Sequence, residues 1–267
     1  SHAAEGPPLS GEALTARKAL LGLIPSMPYG APATNASLVP GLVADIEAAA
    51  MRLERSTPFP RGLARDPAAM KLLNGGWRLL YSDATEITNL VSLPLGFQLG
   101  EVNQPIDTEV STFENQAAVK HSLGVASAST RVVASLREAP VGSLNLAGVR
   151  NDAGNRIDVD FEKVAFSLDR FLVFNFGGGV KKVVSPKRDL SLPQPAVDIT
   201  YLDDVVRITR GGDGALFVLC REAPVYPMLQ GAGRTALLEE GGARVVVGAG
   251  LGNWSKVAGP GVIAGIG

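Results

Sequence analysis

The alternation of apolar and polar residues divides the chain into a helical beginning, a strand-rich body and a glycine-rich tail. Apolar residues recur at helical spacing over residues 10–24 and again over 38–53. Ser10 stands at the N-cap position of the first segment, and Pro25 ends it. A third, short helix is predicted after Asp66, with Pro67 at its first position and Asn74-Gly75 as its stop.

From Gly76 the apolar period changes to two, which is typical of strands with one buried face. The clearest case is residues 156–166, where Ile157, Val159 and Phe161 alternate with acidic residues. The pattern predicts further strands at 77–81, 97–103, 107–115, 117–123, 130–136, 144–150, 171–176, 205–209 and 216–221. Because no helix-length segment separates them, we expect an antiparallel barrel or sandwich and no doubly wound parallel sheet.

Composition and charge exclude several classes of protein. The 267 residues include 25 basic and 26 acidic side chains, so there is no concentrated cationic composition for nucleic-acid binding. A single cysteine excludes an internal disulfide. The sequence contains no uninterrupted apolar run of about 18 residues. The chain starts without methionine, and we expect any targeting segment to be absent from it.

Residues with catalytic or metal-binding chemistry are scarce. His121 is the one histidine apart from His2 near the start, and Cys220 lies in an apolar run with no base close in sequence. We therefore expect no metal site, no cofactor and no catalytic residue. An enzyme acting on an apolar substrate remains an alternative, with His121, Tyr81 and Glu101 as its only candidate participants.

Two segments at the ends of the strand-rich body form a recognisable pair. The first runs over residues 72–82 and contains Leu73-Asn74-Gly75-Gly76-Trp77, and the second runs over 198–219 and contains Thr200-Tyr201-Leu202-Asp203. Together they resemble the plastid lipid-associated proteins, also called fibrillins or plastoglobulins. Gln104-Pro105-Ile106-Asp107 is similar to the middle strands of that family. The resemblance covers roughly residues 66–221.

The resemblance implies a mainly β fold, a lipocalin-like antiparallel β-barrel preceded by two or three N-terminal helices. We expect residues 1–65 to form a helical segment that packs on the barrel and 66–222 to form the lipid-associated domain. Residues 223–267 would form a glycine-rich extension with at most one strand. The resemblance also implies a chloroplast protein, associated with plastoglobules or thylakoids and with carotenoids, prenylquinones or other lipids.

The barrel implied by the resemblance defines candidate structural and ligand-binding residues. Gly76-Trp77 is similar to the lipocalin G-x-W, whose Trp lies beneath an Arg from the last strands. Parity with Val206 and Ile208 selects Arg210 for this structural role and places Arg207 on the opposite face. The candidate ligand-binding residues are the apolar positions expected to face inward: Leu79, Tyr81, Phe113, Val119, Val159, Phe161, Phe166, Phe174 and Phe217.

Non-enzymatic binding or carriage of an apolar small molecule is the leading functional hypothesis. The alternative is a coat or scaffold protein of plastid lipid particles, which binds a lipid surface or a lipid-biosynthetic enzyme. Residues 171–176 are apolar on both faces and precede Lys181-Lys182, so they are also a candidate lip for a membrane or plastoglobule surface. We expect no nucleic-acid partner.

Overall fold

The computed structural model describes residues 6–90, 93, 96–241 and 243–247 of the chain. His2 and the end of the glycine-rich tail lie outside the described residues. The first two predicted helices are confirmed as α1 (Gly11–Leu23) and α2 (Pro40–Arg55). The Ser10 side chain accepts a hydrogen bond from the Ala13 amide at 3.1 Å, which is the predicted N-cap. A 3-10 turn (Pro28–Gly30) and the short strand β1 (Ala33–Thr34) connect the two helices.

The third predicted helix, α3 (Pro67–Leu73), is also confirmed and follows a 3-10 turn at Leu63–Arg65. Asp66 caps it by accepting hydrogen bonds from the amides of Ala68 and Ala69. Another short helix, α4 (Thr85–Leu90), follows the first long strand. Within the described part of the chain, no helix has the length and apolar character needed to cross a bilayer.

The strand-rich body is a barrel of eight antiparallel strands, as expected. Around the barrel the order is β7-β6-β5-β3-β2-β11-β10-β9, and β9 pairs back to β7. The short strand β4 (Ile106–Asp107) pairs with β5. The barrel strands are β2 (Trp77–Ser82), β3 (Phe97–Asn103), β5 (Thr112–His121), β6 (Ala126–Glu138), β7 (Arg156–Phe171), β9 (Ala196–Leu202), β10 (Val206–Gly211) and β11 (Leu216–Arg221).

The length of β7 lets it belong to both the barrel and an extension of the sheet. Residues 156–158 of β7 pair with β9 and close the barrel, whereas later residues pair with β8 (Phe174–Arg188). The strand β12 (Ala243–Val247) then pairs with β8 in parallel. The helix α5 (Gly231–Glu239), which the sequence pattern did not predict, buries Leu237 beside Ala165 and Val183 of this extension.

Several predicted strand boundaries were wrong. Residues 107–115 and 117–123 are not two strands, because β5 runs continuously through Phe113 to His121. Residues 144–150 form a loop with one isolated bridge between Leu144 and Arg150. The predicted strand at 171–176 is instead the turn between β7 and β8 with the strand residues that flank it.

Two main apolar cores lie on opposite sides of the barrel wall. The inner core fills the barrel and includes Trp77, Phe113 and Phe217, together with Leu72 and Leu73 of α3. The outer core lies between the wall and helices α1 and α2. The N-terminal helices therefore cover the outside of β2, β9, β10 and β11, and both faces of these strands are buried.

Candidate functional site

The barrel interior is mostly apolar and nearly filled by side chains. Four of the predicted ligand-binding residues, Leu79, Phe113, Val159 and Phe217, belong to the inner core. The remaining cavity measures about 40 Å³, enough for a few water molecules, each of which needs at least about 10–15 Å³. Its walls are Leu73, Gln104, Ile106, Phe113, Leu136, Ile157, Val159, Val197, Ile199, Arg207, Thr209 and Phe217.

The floor of the barrel is built around Trp77, which is fully buried. Its indole Nε1 donates a hydrogen bond to the Leu73 carbonyl oxygen at 2.8 Å, which ties β2 to α3. The Arg221 guanidinium lies 4.1 Å from the centre of the indole and donates to the carbonyl oxygens of Leu72 and Asn74. Arg221 thus takes the structural position over the tryptophan.

The prediction that Arg210 covers Trp77 was wrong, because the apolar face of β10 points away from the interior. Val206 and Ile208 belong to the outer core beneath α1 and α2. Arg210 shares their face and binds two carboxylates of α2, Glu47 at 2.8 Å and Glu54 at 2.9 Å. Its role is to attach α2 to the barrel wall, and these carboxylates, acting against its burial, raise its pKa.

Arg207, and not Arg210, occupies the barrel interior, although the sequence pattern did not predict it as a site residue. Its side chain lies 5.2 Å from the centre of the Trp77 indole, is 3% exposed and donates a hydrogen bond to the Gln104 amide oxygen. Burial, together with repulsion from Arg221, lowers the pKa of Arg207 to about 9. Its neighbour Thr209 faces the same cavity. Alternation along β10 places Arg207 and Thr209 on one face and Val206 and Ile208 on the other. Both faces are buried, so alternation alone does not show which of them encloses the cavity.

Tyr81 does not face the barrel interior, and its predicted inward placement was wrong. Val218 pairs with Tyr81 and Leu219 pairs with Leu79, so Leu80 is an extra residue in β2. This bulge reverses the alternation and places Tyr81 in the outer core. Its pKa rises to about 12, chiefly through burial.

The remaining wall candidates are not among the residues that line the cavity. Phe161 packs against the inner core, 6.5 Å from the ring of Phe113. Phe166 packs in a small cluster on the extension with Val132 and Val164. Val119 is partly buried opposite Leu99 and is not among the residues that line the cavity.

Phe174 points away from the interior and forms part of an exposed apolar surface at one end of the barrel. Its predicted inward placement was wrong because it begins β8 directly after the β7–β8 turn, where it is 62% exposed. Val173 beside it is 85% exposed, and Leu123 in the β5–β6 turn is 80% exposed. We call Leu123, Phe171, Leu172, Val173 and Phe174 the apolar tip; all five are exposed.

The two turns of the apolar tip are held next to each other by the backbone. The Leu172 amide donates to the Val125 carbonyl oxygen at 2.6 Å, and Ala126 pairs with Phe171. Leu172 takes a positive φ of 54°, a conformation that a tight turn requires and that costs a residue with a side chain some strain. The apolar tip is thus a defined protrusion.

Cations lie near the apolar tip. Of the two predicted lysines, Lys182 is partly buried opposite Phe166. Lys181 pairs with Glu240 at 2.5 Å and is therefore engaged by an acidic partner. Lys120 and Arg170 are exposed, and each lies one residue before the end of the strand that leads into a turn. Arg170 donates a hydrogen bond to the Gly124 carbonyl oxygen of the β5–β6 turn, and the Lys120 ammonium lies 5.9 Å from the centre of the Tyr29 ring. Asp169 is partly buried, and its carboxylate accepts a hydrogen bond from Ser129.

The candidate participants in catalysis are not brought together. His121 stacks edge-on against Phe97, with 5.3 Å between ring centres, and its Nδ1 accepts from the Leu123 amide. Tyr81 lies in the outer core, and Glu101 lies beside Gly30. Burial raises the pKa of the Cys220 thiol. Over the described residues, no group of three or more His, Cys, Asp or Glu side chains is placed to hold a metal ion.

Comparison with known proteins identifies the family. The PAP_fibrillin family model matches residues 15–220, so the match begins within α1, upstream of the predicted domain boundary at residue 66. Plastoglobulin-1 of Pisum sativum, a chloroplastic protein, is 29% identical over 203 residues, 67% of this chain and 54% of that protein. The light-induced chloroplastic protein of Solanum demissum is 30% identical over 197 residues, 64% of this chain and 57% of that protein.

A third relative is the chromoplast-specific carotenoid-associated protein of Cucumis sativus, 29% identical over 198 residues, 66% of this chain and 59% of that protein. The chain spans somewhat over half the length of these relatives. No solved structure matches the chain significantly. The relatives are chloroplastic or chromoplastic, and this chain is likewise a plastid protein. With three quarters of its residues matched by one family model, the chain belongs to the PAP_fibrillin family.

Proposed function

We propose that the protein associates peripherally with a lipid surface in plastids by inserting its apolar tip. The observation that carries this proposal is the exposure of five apolar side chains on two adjacent turns at one end of the barrel. An exposed, contiguous apolar protrusion is unfavourable in water and is typical of a binding surface for lipid or protein. The name of the pea relative, a plastoglobulin, favours lipid.

The exposed residues can supply useful binding energy. Full burial of one such side chain contributes about 1.5–3 kcal/mol, so Val173 and Phe174 together are worth roughly 3 kcal/mol after allowance for their present exposure. Lys120 and Arg170 beside the tip add about 1 kcal/mol each on an anionic surface. The polar outer residues of the barrel then remain in water.

Flotation of the purified protein with vesicles of phosphatidylcholine and phosphatidylglycerol tests this proposal. The double variant Val173→Asp/Phe174→Asp should bind about 100-fold more weakly, which follows from the loss of roughly 3 kcal/mol. The matched control is Val110→Asp/Leu190→Asp, which makes the same change at two exposed apolar residues remote from the tip. Val110 precedes β5 and Leu190 follows β8, so both lie at the opposite strand ends.

Equal flotation of the tip variant and the wild type would overturn the proposal. So would equal losses in the tip variant and its control, because a general effect of added charge would then explain the result. Raising the salt concentration should weaken binding to vesicles that contain phosphatidylglycerol and leave binding to pure phosphatidylcholine vesicles unchanged.

A second candidate function is the binding of an apolar small molecule inside the barrel. It is supported by the interior cavity and its apolar walls, which include Phe113, Val159 and Phe217. Pockets for drug-sized ligands measure roughly 300–1,000 Å³, so the cavity must widen before it holds a carotenoid or a prenylquinone. An adjoining surface cleft of about 150 Å³ shares Leu136 and Ile157 with the cavity, and movement of these two side chains would join the spaces.

Organic extraction of protein purified from plastids tests this second function. The variant Val159→Trp fills the cavity and should lose any bound pigment, quinone or lipid that the wild type retains. The exposed substitution Val141→Trp is the control for the added indole. Retention of the same molecules by both variants would assign them to the protein surface.

We propose that both functions are non-enzymatic. This is supported by the separation of His121, Tyr81 and Glu101. Two relatives are named plastoglobulin and carotenoid-associated protein, and neither name refers to a reaction. A coat or scaffold role that also recruits a lipid-biosynthetic enzyme is compatible with insertion of the tip, because the rest of the barrel surface stays accessible.

A further inference from the structure

The barrel interior contains a positive charge without a negative partner. Arg207 is 3% exposed, and none of the described acidic side chains lies within ion-pair distance of its guanidinium. Its charged neighbour is a second cation, Arg221, which interacts with it unfavourably. Its Nε atom is buried and has no hydrogen-bond partner among the described residues. A buried, unbalanced cation is costly, and such a group is usually paired when it persists.

A second unused donor faces the same cavity. Thr209 lies two residues after Arg207, on the same face of β10, and is buried. Its hydroxyl Oγ1 has no hydrogen-bond partner among the described residues. Both side chains line the 40 Å³ cavity, whose other walls are apolar apart from Gln104. The Gln104 amide oxygen is already occupied by Arg207.

We propose that the barrel interior binds an aliphatic carboxylate, whose oxygens accept hydrogen bonds from Arg207 Nε and Thr209 Oγ1. This inference rests on the second candidate function, small-molecule binding in the barrel, and it assigns that ligand a chemical class. The carboxylate supplies the missing negative charge and occupies both unused donors. Charge-assisted hydrogen bonds are about twice as strong as neutral ones, and the dry interior strengthens them further.

The surroundings of the two donors favour a carboxylate over a carotenoid, a quinone or a phosphate. A carotenoid or a quinone brings no negative charge, so Arg207 would stay unbalanced. A phosphate group has more oxygens and more negative charge than two donors, the Arg207 Nε–H and the Thr209 hydroxyl, can hydrogen-bond and neutralise. The aliphatic chain would lie against Phe113, Val159 and Phe217 and leave through the cleft behind Leu136 and Ile157.

Isothermal titration with dodecanoate and dodecanol, which differ only in the head group, tests the proposal. Wild-type protein should bind dodecanoate, and Arg207→Met should weaken this binding about 10- to 100-fold. Thr209→Val, which keeps the shape of the side chain, should weaken it several-fold. Dodecanol should bind the wild type and Arg207→Met equally. The matched control is Arg150→Met, which removes an exposed arginine that pairs with Asp152 on the surface.

The two ligands distinguish the carboxylate site from binding of an aliphatic chain. Equal affinity of dodecanoate for the wild type and Arg207→Met would overturn the carboxylate site and leave small-molecule binding intact. Failure of both ligands to bind would overturn an aliphatic ligand in the cavity and with it the carboxylate site. Organic extraction of the plastid protein then decides small-molecule binding by itself.

A second measurement does not depend on the folding of the arginine variant. Carbon NMR of carboxyl-labelled dodecanoate bound to the wild type follows the ionisation of its head group. A carboxylate beside Arg207 should have a pKa well below that of free dodecanoate, because the cation favours the ionised form. A raised pKa would place the head group in an apolar environment and would contradict the proposal.

Discussion

Replacing Arg207 with methionine should make the protein more stable. Burial lowers the pKa of Arg207 from its ordinary value to about 9, and at about 1.4 kcal/mol per pH unit this lowering corresponds to roughly 5 kcal/mol of stability lost at neutral pH. Methionine removes that cost but also removes the contact with Trp77, worth about 1–2 kcal/mol, and the bond to Gln104, worth about 1.5–3 kcal/mol. The expected net gain is therefore up to about 2.5 kcal/mol.

Urea unfolding followed by tryptophan fluorescence measures this gain directly, because Trp77 lies beside the substituted residue. A chain of this size should also show a rise in Tm of up to about 10 °C. The difference between the variant and the wild type should shrink as the pH rises from about 9 towards 12. Over that range the folded protein releases the Arg207 proton while the unfolded chain retains it, so the wild type gains stability.

A loss of more than about 1 kcal/mol in Arg207→Met would refute this reasoning. It would mean that Arg207 has a stabilising partner in the folded protein and that the interior charge is balanced. Arg150→Met serves as the control and should change the free energy of unfolding by less than about 0.5 kcal/mol, because its side chain is exposed. If Arg207→Met is both more stable and unable to bind dodecanoate, Arg207 is retained for binding at a cost in stability.

Two further predictions concern stability. Burial raises the pKa of Glu86 to about 7, so its ionised form destabilises the folded protein, which should gain stability as the pH falls from about 8 to 5. Glu86→Gln should therefore add about 3 kcal/mol at about pH 8 and less than about 1 kcal/mol at pH 5 in urea unfolding, and a constant difference would contradict this. Phe113→Ala should cost about 3–5 kcal/mol by the same assay, because Phe113 is buried against Phe161, whereas Val110→Ala at an exposed turn should cost less than about 0.5.

Local signals in the sequence were sufficient for the helices and for most strands. Ser10 and Asp66 cap α1 and α3 as predicted, because an N-cap depends on the few residues that follow it. Alternation found β2, β7, β10 and β11 but missed the ends of β5 and the helix α5. The motifs at residues 72–82 and 198–219 were enough to indicate the family and its barrel.

Which face of a strand points inward was decided only by the tertiary structure. One extra residue, Leu80, turns Tyr81 outward, and pairing registers of this kind depend on the partner strand β11. In β10 the apolar face lies under α1 and α2, so the polar face with Arg207 and Thr209 is the inner one. The sequence by itself determined the elements, since period and capping are local properties. Long-range packing decided the site, because a strand buried on both faces carries no local mark of which face encloses the cavity.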